Sequence, residues 1–258
     1  MNSLKGKIIF ITGASSGIGR SCAYAFAKQG ANLIISARRL NVIEEIAEDI
    51  RKNCGVKVFT FKLDVRSKEE VDQQINALPE EWKSIDILVN NAGLAKGMNK
   101  FYEDDPSTWD EMIDTNVKGL LFVTYAILPG MIERKFGHII NIGSIAGHEA
   151  YPKGAIYCAT KHAVDAITRS LRMDIIDKNI LVSTIDAGLV ETNFSVIRMG
   201  GDVQKAKNVY KGLTPLTGDD VADAVVYCAS RPPHVNIAEI TLLAARQASA
   251  TISYREEN

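Results

Sequence analysis

The sequence predicts an α/β protein, a single domain built on a Rossmann-type, doubly wound parallel sheet. Short apolar runs such as residues 7–11 (KIIFI) have the composition of parallel strands that are buried on both faces. These runs alternate along the 258 residues with longer segments of helical periodicity. A glycine-rich turn at residues 12–19 (TGASSGIG) connects the first strand to the first helix. This succession of strand, glycine-rich turn and helix is typical of a dinucleotide-binding unit.

The composition makes a small molecule the expected partner. The formal net charge is -1, so no field of one sign favours nucleic acid or an anionic membrane surface. The longest apolar run, near residues 120–128, has about half of the ~20 residues that span a bilayer. The N-terminus has no secretory signal pattern, and the four cysteines have no metal-binding spacing. We therefore expect a cytoplasmic protein with reduced thiols and without a membrane or nucleic-acid partner.

Three glycines shape the first turn. Gly13, Gly17 and Gly19 allow a tight turn, a close approach of the backbone to a pyrophosphate, and packing of helix against strand. Their spacing, G-x-x-x-G-x-G, differs from the G-x-G-x-x-G fingerprint, so an ordinary glycine turn remains an alternative on this motif alone. The helix that begins at Ile18 is predicted to end at Gly30, a C-terminal glycine cap.

Two arginines follow the second strand, which we predict at residues 32–36. A carboxylate at this place would hold the ribose 2′-hydroxyl of NAD. The chain instead has Arg38 and Arg39, whose guanidiniums can bind a 2′-phosphate through parallel, charge-assisted hydrogen bonds. The sequence therefore favours NADP(H) over NAD(H). The alternative is that either arginine is a solvated loop residue.

The alternation of helices and strands continues to the fourth strand. We predict a helix at residues 41–53 and a strand at residues 56–61. A capping box formed by Ser67 and Glu70 opens the next helix, and residues 85–89 form the next strand.

Polar residues follow the third and fourth strands at their carboxyl ends. Asp64 and Val65 come just past the third strand, where an adenine would lie. The fourth strand runs into residues 90–93 (NNAG), whose amides need hydrogen-bond partners. Those partners are in the sheet edge, in a cofactor, or in both.

A mostly apolar helix follows, beginning near Ser107. Asn116 lies among its apolar residues, where an amide is costly unless it is hydrogen-bonded. Asn116 is therefore either a satisfied core residue or part of a polar site. Pro129 is expected to kink this helix, and residues 138–142 form the fifth strand.

Three polar side chains after that strand suggest proton-transfer chemistry. Ser144 comes at the carboxyl end of the fifth strand, the side on which open α/β sheets bind ligands. Tyr157 and Lys161 are four residues apart on a helix predicted at residues 155–177. Side chains at this spacing lie on one face of a helix and reach a common point.

The remaining segments complete the sheet and cover it. We predict a strand at residues 180–185, a helix beginning at Thr217 and a closing strand at residues 237–243. Residues 187–215 have a loop-like composition, and a segment of that length in a compact domain is more often a substrate lid than a plain connection. The polar tail, residues 253–258, is expected to fray.

Taken together, these motifs resemble the short-chain dehydrogenase/reductase family over essentially the whole chain. The combination consists of TGASSGIG, the NNAG of residues 90–93, and Ser144 followed by Tyr157-x-x-x-Lys161. Four further segments look like the NADP-dependent 3-hydroxy acid dehydrogenase branch: LPEEW, MIDTNVKGL, GHIINIGS and HVNI. Members of that branch oxidise L-serine, L-allo-threonine, 3-hydroxypropionate and related short 3-hydroxy acids, and reduce 3-oxo acids.

The resemblance implies a role for each polar residue. Tyr157 would be the general acid/base, and Lys161 would lower its pKa of ~10 towards neutrality while holding the nicotinamide ribose. Ser144 would hydrogen-bond and polarise the substrate oxygen. Asn116 would hold a water that links Lys161 to solvent.

The resemblance also implies the contacts to NADP(H). They come from the glycine turn, the ends of the strands, the catalytic helix and the start of the lid: Gly13, Ser15, Ser16, Gly17, Ile18, Gly19, Arg38, Arg39, Asp64, Val65, Asn91, Ala92, Gly93, Tyr157, Lys161, Gly188, Val190 and Thr192. One departure is that Ala187-Gly188 replaces the Pro-Gly that is usual after the sixth strand. The loop on the nicotinamide side is therefore expected to be more mobile.

The family further implies an assembly and leaves alternatives open. Relatives are usually tetramers, so we expect a homo-tetramer. No metal site is expected, because the four histidines lack ligand spacing, and only His148 is placed to line a substrate pocket. The alternatives are a broader NADPH carbonyl reductase, a 3-oxoacyl thioester reductase and, outside enzymes, an NADP-sensing binding protein.

Overall fold

The computed structural model describes residues 3–256, which form a seven-stranded sheet with helices on both faces. The strands are β1 (Ile8–Thr12), β2 (Asn32–Ala37), β3 (Val58–Lys62), β4 (Ile87–Asn90), β5 (Gly137–Ile142), β6 (Ile180–Ala187) and β7 (Glu239–Leu242). Their order is β3-β2-β1-β4-β5-β6-β7, and each neighbouring pair is parallel. The predicted doubly wound fold is confirmed.

Helices connect the strands. They are α1 (Gly17–Lys28), α2 (Leu40–Cys54), α3 (Lys68–Asn76), α4 (Ser107–Ile113), α5 (Leu120–Arg134), α6 (Ala155–Asp174), α7 (Asn193–Arg198), α8 (Val203–Asn208) and α9 (Gly218–Ala229). The observed boundaries differ from the predicted ones by a few residues. The largest difference is at α6, which ends at Asp174 rather than at residue 177 and is followed by a short 3₁₀ turn.

Successive residues of the central strands face opposite helical layers. On β1, Ile9 and Ile11 pack with α1, α2 and α9 in a core that includes Phe26. Phe10, between them, packs on the other face with Trp82 and with α5. Because both faces are buried, the strands appear in the sequence as continuous apolar runs rather than as an alternating pattern.

The winding direction reverses at β1, which lies between β2 and β4. A reversal of this kind leaves a crevice at the carboxyl ends of the strands, where such sheets bind ligands. Thr12, the last residue of β1, joins the two sides. Its hydroxyl oxygen accepts the N–H groups of Asn91 and Ala92, each at 3.1 Å.

The helical stretch between β4 and β5 is irregular at Asn116. A π-helical turn, Asp114–Gly119, separates α4 from α5, and turns of this kind are frequent at functional sites. A Cβ at Gly119 would lie 2.6 Å from a methyl group of Val65, so glycine allows this turn to pack closely. The helix continues through Pro129, so the irregular turn lies around Asn116 and not at the proline.

The same stretch, Ser107–Arg134, is long and apolar enough to cross a membrane by length and composition alone. A little under half of its most apolar window is buried in the structure. Val123, Ile127 and Met131 of α5 are buried in the core beneath the sheet. The core helix of a globular protein passes the same test, so this stretch is weak evidence for a membrane segment.

Residues 187–215 are more ordered than the sequence predicts. They contain α7 and α8, and both helices are capped by side chains: Thr192 accepts the N–H of Phe194, and Asp202 accepts the N–H of Lys205. The prediction of a long loop was wrong because six-residue helices are too short to show a periodic apolar pattern.

The C-terminal tail is also held in place. Arg255 donates two hydrogen bonds, 2.7 and 3.0 Å long, to backbone carbonyls of the segment after α8. The N–H of Glu256 donates to the carbonyl of Gly212 at 2.9 Å. The prediction of fraying was therefore wrong for residues 253–256, and residues 257–258 lie outside the described part of the chain.

Only half of the predicted capping box at Ser67 and Glu70 forms. The Ser67 hydroxyl oxygen accepts the N–H of Glu70 at 3.1 Å, but the Glu70 carboxylate accepts the N–H of Asp64 instead of returning to Ser67. The reciprocal arrangement forms at the start of α9, between Thr217 and Asp220. Glu70 thus fixes the backbone next to the predicted adenine site.

Candidate active site

A cleft of about 1080 Å³ opens at the carboxyl ends of the strands. Ser144 lines it together with most of the residues predicted to contact the cofactor: Gly13, Ser15, Ser16, Gly17, Ile18, Arg38, Arg39, Asp64, Val65, Asn91, Ala92, Gly93, Tyr157, Lys161, Gly188, Val190 and Thr192. Gly19 and Asn116 are not among the lining residues. The fold therefore brings the predicted catalytic and cofactor groups to one cleft, with these two residues behind its wall.

The glycine turn needs glycine for conformation and for close packing. Gly13 and Gly17 have φ angles of +67° and +54°, in the left-handed region that favours glycine. A Cβ at Gly13 would lie 2.9 Å from the Cα of Ala92, and a Cβ at Gly19 would collide with the side-chain amide of Asn91. Gly13 and Gly19 therefore let the turn and α1 pack against the residues that follow β4, and Gly17 leaves room for the side chain of Thr192.

Arg38 and Arg39 lie at the outer end of the cleft, after β2. Arg38 Nη1 is 3.5 Å from a carboxylate oxygen of Glu111, and Arg39 Nη2 donates to the Ser15 hydroxyl at 2.9 Å. No carboxylate takes the place at the end of β2 that would hold a ribose 2′-hydroxyl. Two exposed guanidiniums beside a glycine turn fit a dinucleotide that carries a 2′-phosphate.

Asp64 and Val65 line the same outer end. Arg66 donates to both carboxylate oxygens of Asp64, with Nε to Oδ1 at 2.9 Å and Nη2 to Oδ2 at 2.6 Å. These hydrogen bonds hold the pKa of Asp64 below its ordinary value. Asp64 is therefore an ionised, fixed group in the region predicted for the adenine.

Tyr157 and Lys161 point from α6 into the cleft. Both are buried, with exposed fractions of 9% and 8%. Lys161 Nζ donates to the carbonyl of Ile142 at 2.8 Å and lies 6.0 Å from the centre of the Tyr157 ring. The helical spacing thus places the ammonium and the phenol side by side, as the sequence predicts.

Burial shifts the pKa of both groups. It raises the pKa of Tyr157 above its ordinary value, while Ser144 and Arg198 act in the opposite direction. Burial lowers the pKa of Lys161 to about 8, against the effect of the Asp186 carboxylate. The phenol therefore keeps its proton near neutral pH, which is the form that can protonate a carbonyl oxygen. This direction for the pKa of Tyr157 is opposite to the lowering expected from Lys161, because burial outweighs the effect of the neighbouring groups.

Ser144 is held at the end of β5 by the end of β6. Its hydroxyl donates to the carbonyl of Ala187 at 3.4 Å and accepts the N–H of Ala146 at 3.1 Å. Its backbone N–H donates to Asp186 Oδ1 at 3.0 Å. Two neighbouring strands therefore fix the position of this hydroxyl in the cleft.

Asn116 connects the segment after β4 to the helix that carries Tyr157. Its Oδ1 accepts the N–H of Leu94 at 2.8 Å, and its Nδ2 donates to the Leu94 carbonyl at 2.8 Å and to Thr160 Oγ1 at 3.0 Å. Thr160 in turn donates to the carbonyl of Tyr157 at 2.8 Å. These contacts give Asn116 the satisfied core role, and its water link to Lys161 stays a prediction.

The sequence analysis missed Arg198, the last residue of α7. Arg198 Nη1 donates to the Tyr151 hydroxyl at 3.0 Å, and the guanidinium carbon lies 5.3 Å from the centre of the Tyr157 ring. Within residues 3–256, no carboxylate forms an ion pair with Arg198. No motif or spacing points to this residue, because a short helix far along the chain brings it to the cleft. A guanidinium without an acidic partner beside a candidate acid/base can bind an anionic substrate group.

His148, which the sequence placed as a possible pocket residue, is not among the residues that line the cleft. Its ring faces the ends of β6 and β7, with Nε2 3.2 Å from Asp186 Oδ2 and 3.6 Å from Glu239 Oε1. The histidine therefore belongs to a polar cluster behind Ser144 that spacing along the chain does not show.

Comparison with known proteins agrees with the motifs. A sequence model of the family described as short chain dehydrogenase matches residues 7–198. The chain is 44% identical over 261 residues to the NADP-dependent 3-hydroxy acid dehydrogenase of Schizosaccharomyces pombe, and the match covers 100% of both chains. It is 41% identical over 242 residues to sulfoacetaldehyde reductase 2 of Chromohalobacter salexigens, covering 93% of this chain and 95% of the relative.

A solved structure is similar over almost the whole chain. The closed form of serine dehydrogenase complexed with NADP+ matches with a TM-score of 0.89 and 39% sequence identity. The match covers 97% of this chain and 100% of that chain.

Proposed function

The chain belongs to the short-chain dehydrogenase/reductase family, and on that premise we propose that it oxidises short 3-hydroxy acids and reduces the corresponding 3-oxo acids. The protein is an oxidoreductase, and its cofactor is NADP(H). The nicotinamide supplies the hydride chemistry when it is bound. The substrates we propose are L-serine, L-allo-threonine and 3-hydroxypropionate.

The position of Arg198 carries the proposal of an acid substrate. This guanidinium lies beside the ring of Tyr157, and its hydrogen bonds go to a phenol and to a backbone carbonyl rather than to an acid. Its charge is therefore available to a carboxylate held next to the reacting oxygen. A short 3-hydroxy acid has its carboxylate and its hydroxyl close enough to meet Arg198 and Tyr157 together.

We assign the proton transfer to Tyr157. In the reducing direction its hydroxyl gives a proton to the carbonyl oxygen, and in the oxidising direction its oxygen takes the proton back. Lys161 is the neighbouring cation that stabilises the phenolate form, and Ser144 donates to the substrate oxygen. Both side chains line the cleft next to Tyr157, which supports these roles.

We assign substrate selection to residues 187–215, as a lid. This segment brings Arg198 to the cleft, and Phe194 of α7 packs 5.5 Å from the Tyr157 ring, measured between ring centres. Apolar contact on one side of the phenol and a cation on another suit a small acid that carries one carboxylate.

The substrate proposal is tested by the variant Arg198→Met, assayed with hydroxy acids and with an uncharged ketone. Loss of a charge-assisted hydrogen bond of about 1.5–3 kcal/mol should raise KM for the acids about 10- to 100-fold. The kcat/KM for the uncharged ketone should change by less than about threefold, since that ketone has no carboxylate for Arg198 to bind. Steady-state kinetics in both directions provide the measurement.

Arg231→Met is the matched control. Arg231 is also a guanidinium over a tyrosine, 3.9 Å from the centre of the Tyr227 ring, but it lies at the end of α9 outside the cleft. This variant should keep wild-type kinetics. Equal losses on acids and ketones in Arg198→Met, or a wild type that turns over only bulky ketones or acyl thioesters, would contradict the proposal.

We further propose a homo-tetramer in the cytoplasm. Apolar side chains such as Tyr125 of α5, Met173 of α6 and Tyr227 of α9 are exposed in the single chain and would be covered in an assembly. The four cysteines are free thiols, as expected in a reducing compartment. Light scattering coupled to size-exclusion chromatography tests the assembly, and a monomer at micromolar concentration would contradict it.

A further inference from the structure

Behind the cleft, a line of polar side chains leads from Ser144 to the protein surface. Asp186, near the end of β6, accepts the backbone N–H of Ser144 at 3.0 Å through Oδ1. Its other oxygen, Oδ2, is 3.2 Å from Nε2 of His148. Nε2 is also 3.6 Å from Glu239, whose second oxygen is 3.3 Å from the guanidinium of Arg169. The serine proposed to act on the substrate is thus connected to a partly exposed histidine.

The Asp186 side chain is buried against the backbone just before Ser144. Its side chain is only 2% exposed, and Oδ1 also accepts the hydroxyl of Thr184 at 3.1 Å. A Cβ at Gly143 would collide with this same oxygen, so only glycine before Ser144 allows the carboxylate to approach. The carboxylate therefore fixes the peptide that carries Ser144, and the next residue on β6, Ala187, accepts the Ser144 hydroxyl.

A carboxylate this deeply buried needs compensation, because removing a charge from water is costly. Burial raises the pKa of Asp186 above its ordinary value, and contact with His148 acts in the opposite direction. The other charged groups that face Asp186 are Glu239 from β7, and Lys161 and Arg169 from α6. Closer than any of these groups is His148, whose Nε2 lies 3.2 Å from Asp186 Oδ2. The His148 side chain is 27% exposed to solvent.

An ion pair explains the cluster better than a divalent metal does. His148, Asp186 and Glu239 each offer a ligand atom, and these atoms lie within 4.8 Å of one another. However, Glu239 already faces the cation of Arg169, which competes with a metal, while Asp186 Oδ2 lies 3.2 Å from His148 Nε2 without a hydrogen bond of good geometry. We therefore treat the cluster as an ion pair and make metal binding an outcome of the test.

We propose that Asp186 is a positioning residue for Ser144 and that His148 balances its buried charge. Asp186 acts through the peptide of Ser144 and through its electrostatic effect on Lys161, without touching the substrate. Contact with His148, at 3.2 Å from Oδ2, favours the carboxylate form of Asp186. This inference rests on the proposed role of Ser144, and it assigns a purpose to two residues that the cofactor and substrate contacts do not use.

Three variants test the proposal: Asp186→Ala, Asp186→Asn and His148→Gln. Asp186→Ala removes the acceptor of the Ser144 N–H, so the Ser144 hydroxyl should move slightly from its position. Such a misplacement should lower kcat about 10- to 100-fold, while the affinity for NADP+ should stay the same. Asp186→Asn keeps an oxygen that accepts the same hydrogen bonds, so kcat near pH 7 should return to within about threefold of wild type.

The pH profile separates positioning from a merely structural role. Asp186→Asn removes the negative charge that supports the Lys161 ammonium, so the alkaline limb of kcat should move to lower pH by about half a unit or more. His148→Gln removes the contact that favours the carboxylate form of Asp186, so the limb should move in the same direction and by a smaller amount. The double variant should shift no further than Asp186→Asn alone, since His148 acts only through Asp186.

Asp86→Asn is the matched control. Asp86 also accepts a strand N–H, that of Ile8 at 2.8 Å, and pairs with Lys7, but it lies just before β4, at the amino ends of the strands and away from the cleft. Its pH profile should remain that of wild type. Four results would each overturn the proposal. Two concern the pH profile: an unshifted alkaline limb in Asp186→Asn, or additive shifts in the double variant. The other two are a kcat for Asp186→Asn as low as that of Asp186→Ala, and loss of activity on dialysis against EDTA. The profile is measured with any substrate that the wild type turns over, so a wrong substrate assignment leaves this test intact.

Discussion

The two halves of the cleft differ in how far their charged groups are exposed to solvent. The phosphate half, which we define as the glycine turn with Arg38 and Arg39, keeps its cations in water, and 54% of the Arg38 side chain is exposed. The catalytic half, which we define as Ser144, Tyr157 and Lys161, is buried. Exposed charges are screened by salt, whereas a buried ionisable group changes its pKa. The phosphate half is therefore suited to selecting a cofactor, and the catalytic half to moving a proton.

The cations of the two halves also have different hydrogen-bond and ion-pair partners. Arg38 faces Glu111 at 3.5 Å, an exposed contact of small energy that a phosphate can replace. Lys161 donates to a backbone carbonyl in the interior, and burial lowers its pKa to about 8. Substitutions in the phosphate half should therefore change cofactor affinity, whereas substitutions in the catalytic half should change turnover and its dependence on pH.

The largest expected effect comes from removing the phenol. Tyr157→Phe keeps the ring but removes the proton donor, so kcat should fall about 10²- to 10⁴-fold. NADPH affinity should change little, because the ring still fills its place on α6. Steady-state turnover together with fluorescence titration of NADPH separates the two quantities. Tyr102→Phe is the control, because Tyr102 is exposed and does not line the cleft. A Tyr157→Phe enzyme of normal kcat would show that the catalytic half is wrongly assigned.

An intermediate effect is expected in the phosphate half. Arg38→Ala combined with Arg39→Ala removes the charge-assisted bonds to a 2′-phosphate, so KM for NADP+ should rise about 10- to 100-fold. KM for NAD+ should stay within about threefold, and kcat at saturating cofactor should be retained. Arg20→Ala is the control, since Arg20 is a nearby guanidinium on α1 that does not line the cleft. Equal losses for both cofactors would remove the distinction between the halves.

The third effect is a dependence on pH in the wild type, which amounts to about tenfold over the first pH unit above the pKa of Lys161. Lys161 is a cation below its pKa of about 8 and loses its charge above it, so the reducing activity should decline as pH rises through this value. The slope should be about tenfold per pH unit in kcat/KM for NADPH, which reports the free enzyme. Measurements between pH 6 and 10 at constant ionic strength test this expectation. A profile that is flat to pH 10 would show that the ammonium is not needed.

Much of the fold follows from local pattern, and the failures are also local. The strands were predicted because both faces of a parallel sheet are covered, which leaves apolar runs such as that of β1. Helices α7 and α8 were not predicted, because six residues show no period. The tail was expected to fray because its residues are polar. A polar composition does not reveal that Arg255 donates hydrogen bonds to the segment after α8.

The residues of the candidate site were likewise predictable only where local spacing brings them together. Tyr157 and Lys161 were found because four residues of helix place them together whatever the surroundings are. Asn116 remained undecided, because only its contacts with Leu94 and Thr160 show how its amide is satisfied. Arg198 was missed because it reaches Tyr157 from a different part of the chain.

By itself, the sequence determined the succession of the strands and the longer helices along the chain, the glycine turn, the two arginines after β2 and the pairing of Tyr157 with Lys161. All of these depend on spacing along a strand, a turn or a helix. Only the tertiary structure decided that Arg198 faces the phenol and that Asp186 holds Ser144, because strands and lid bring them together across long separations. It also decided the direction of each pKa shift, since burial is a property of the folded chain.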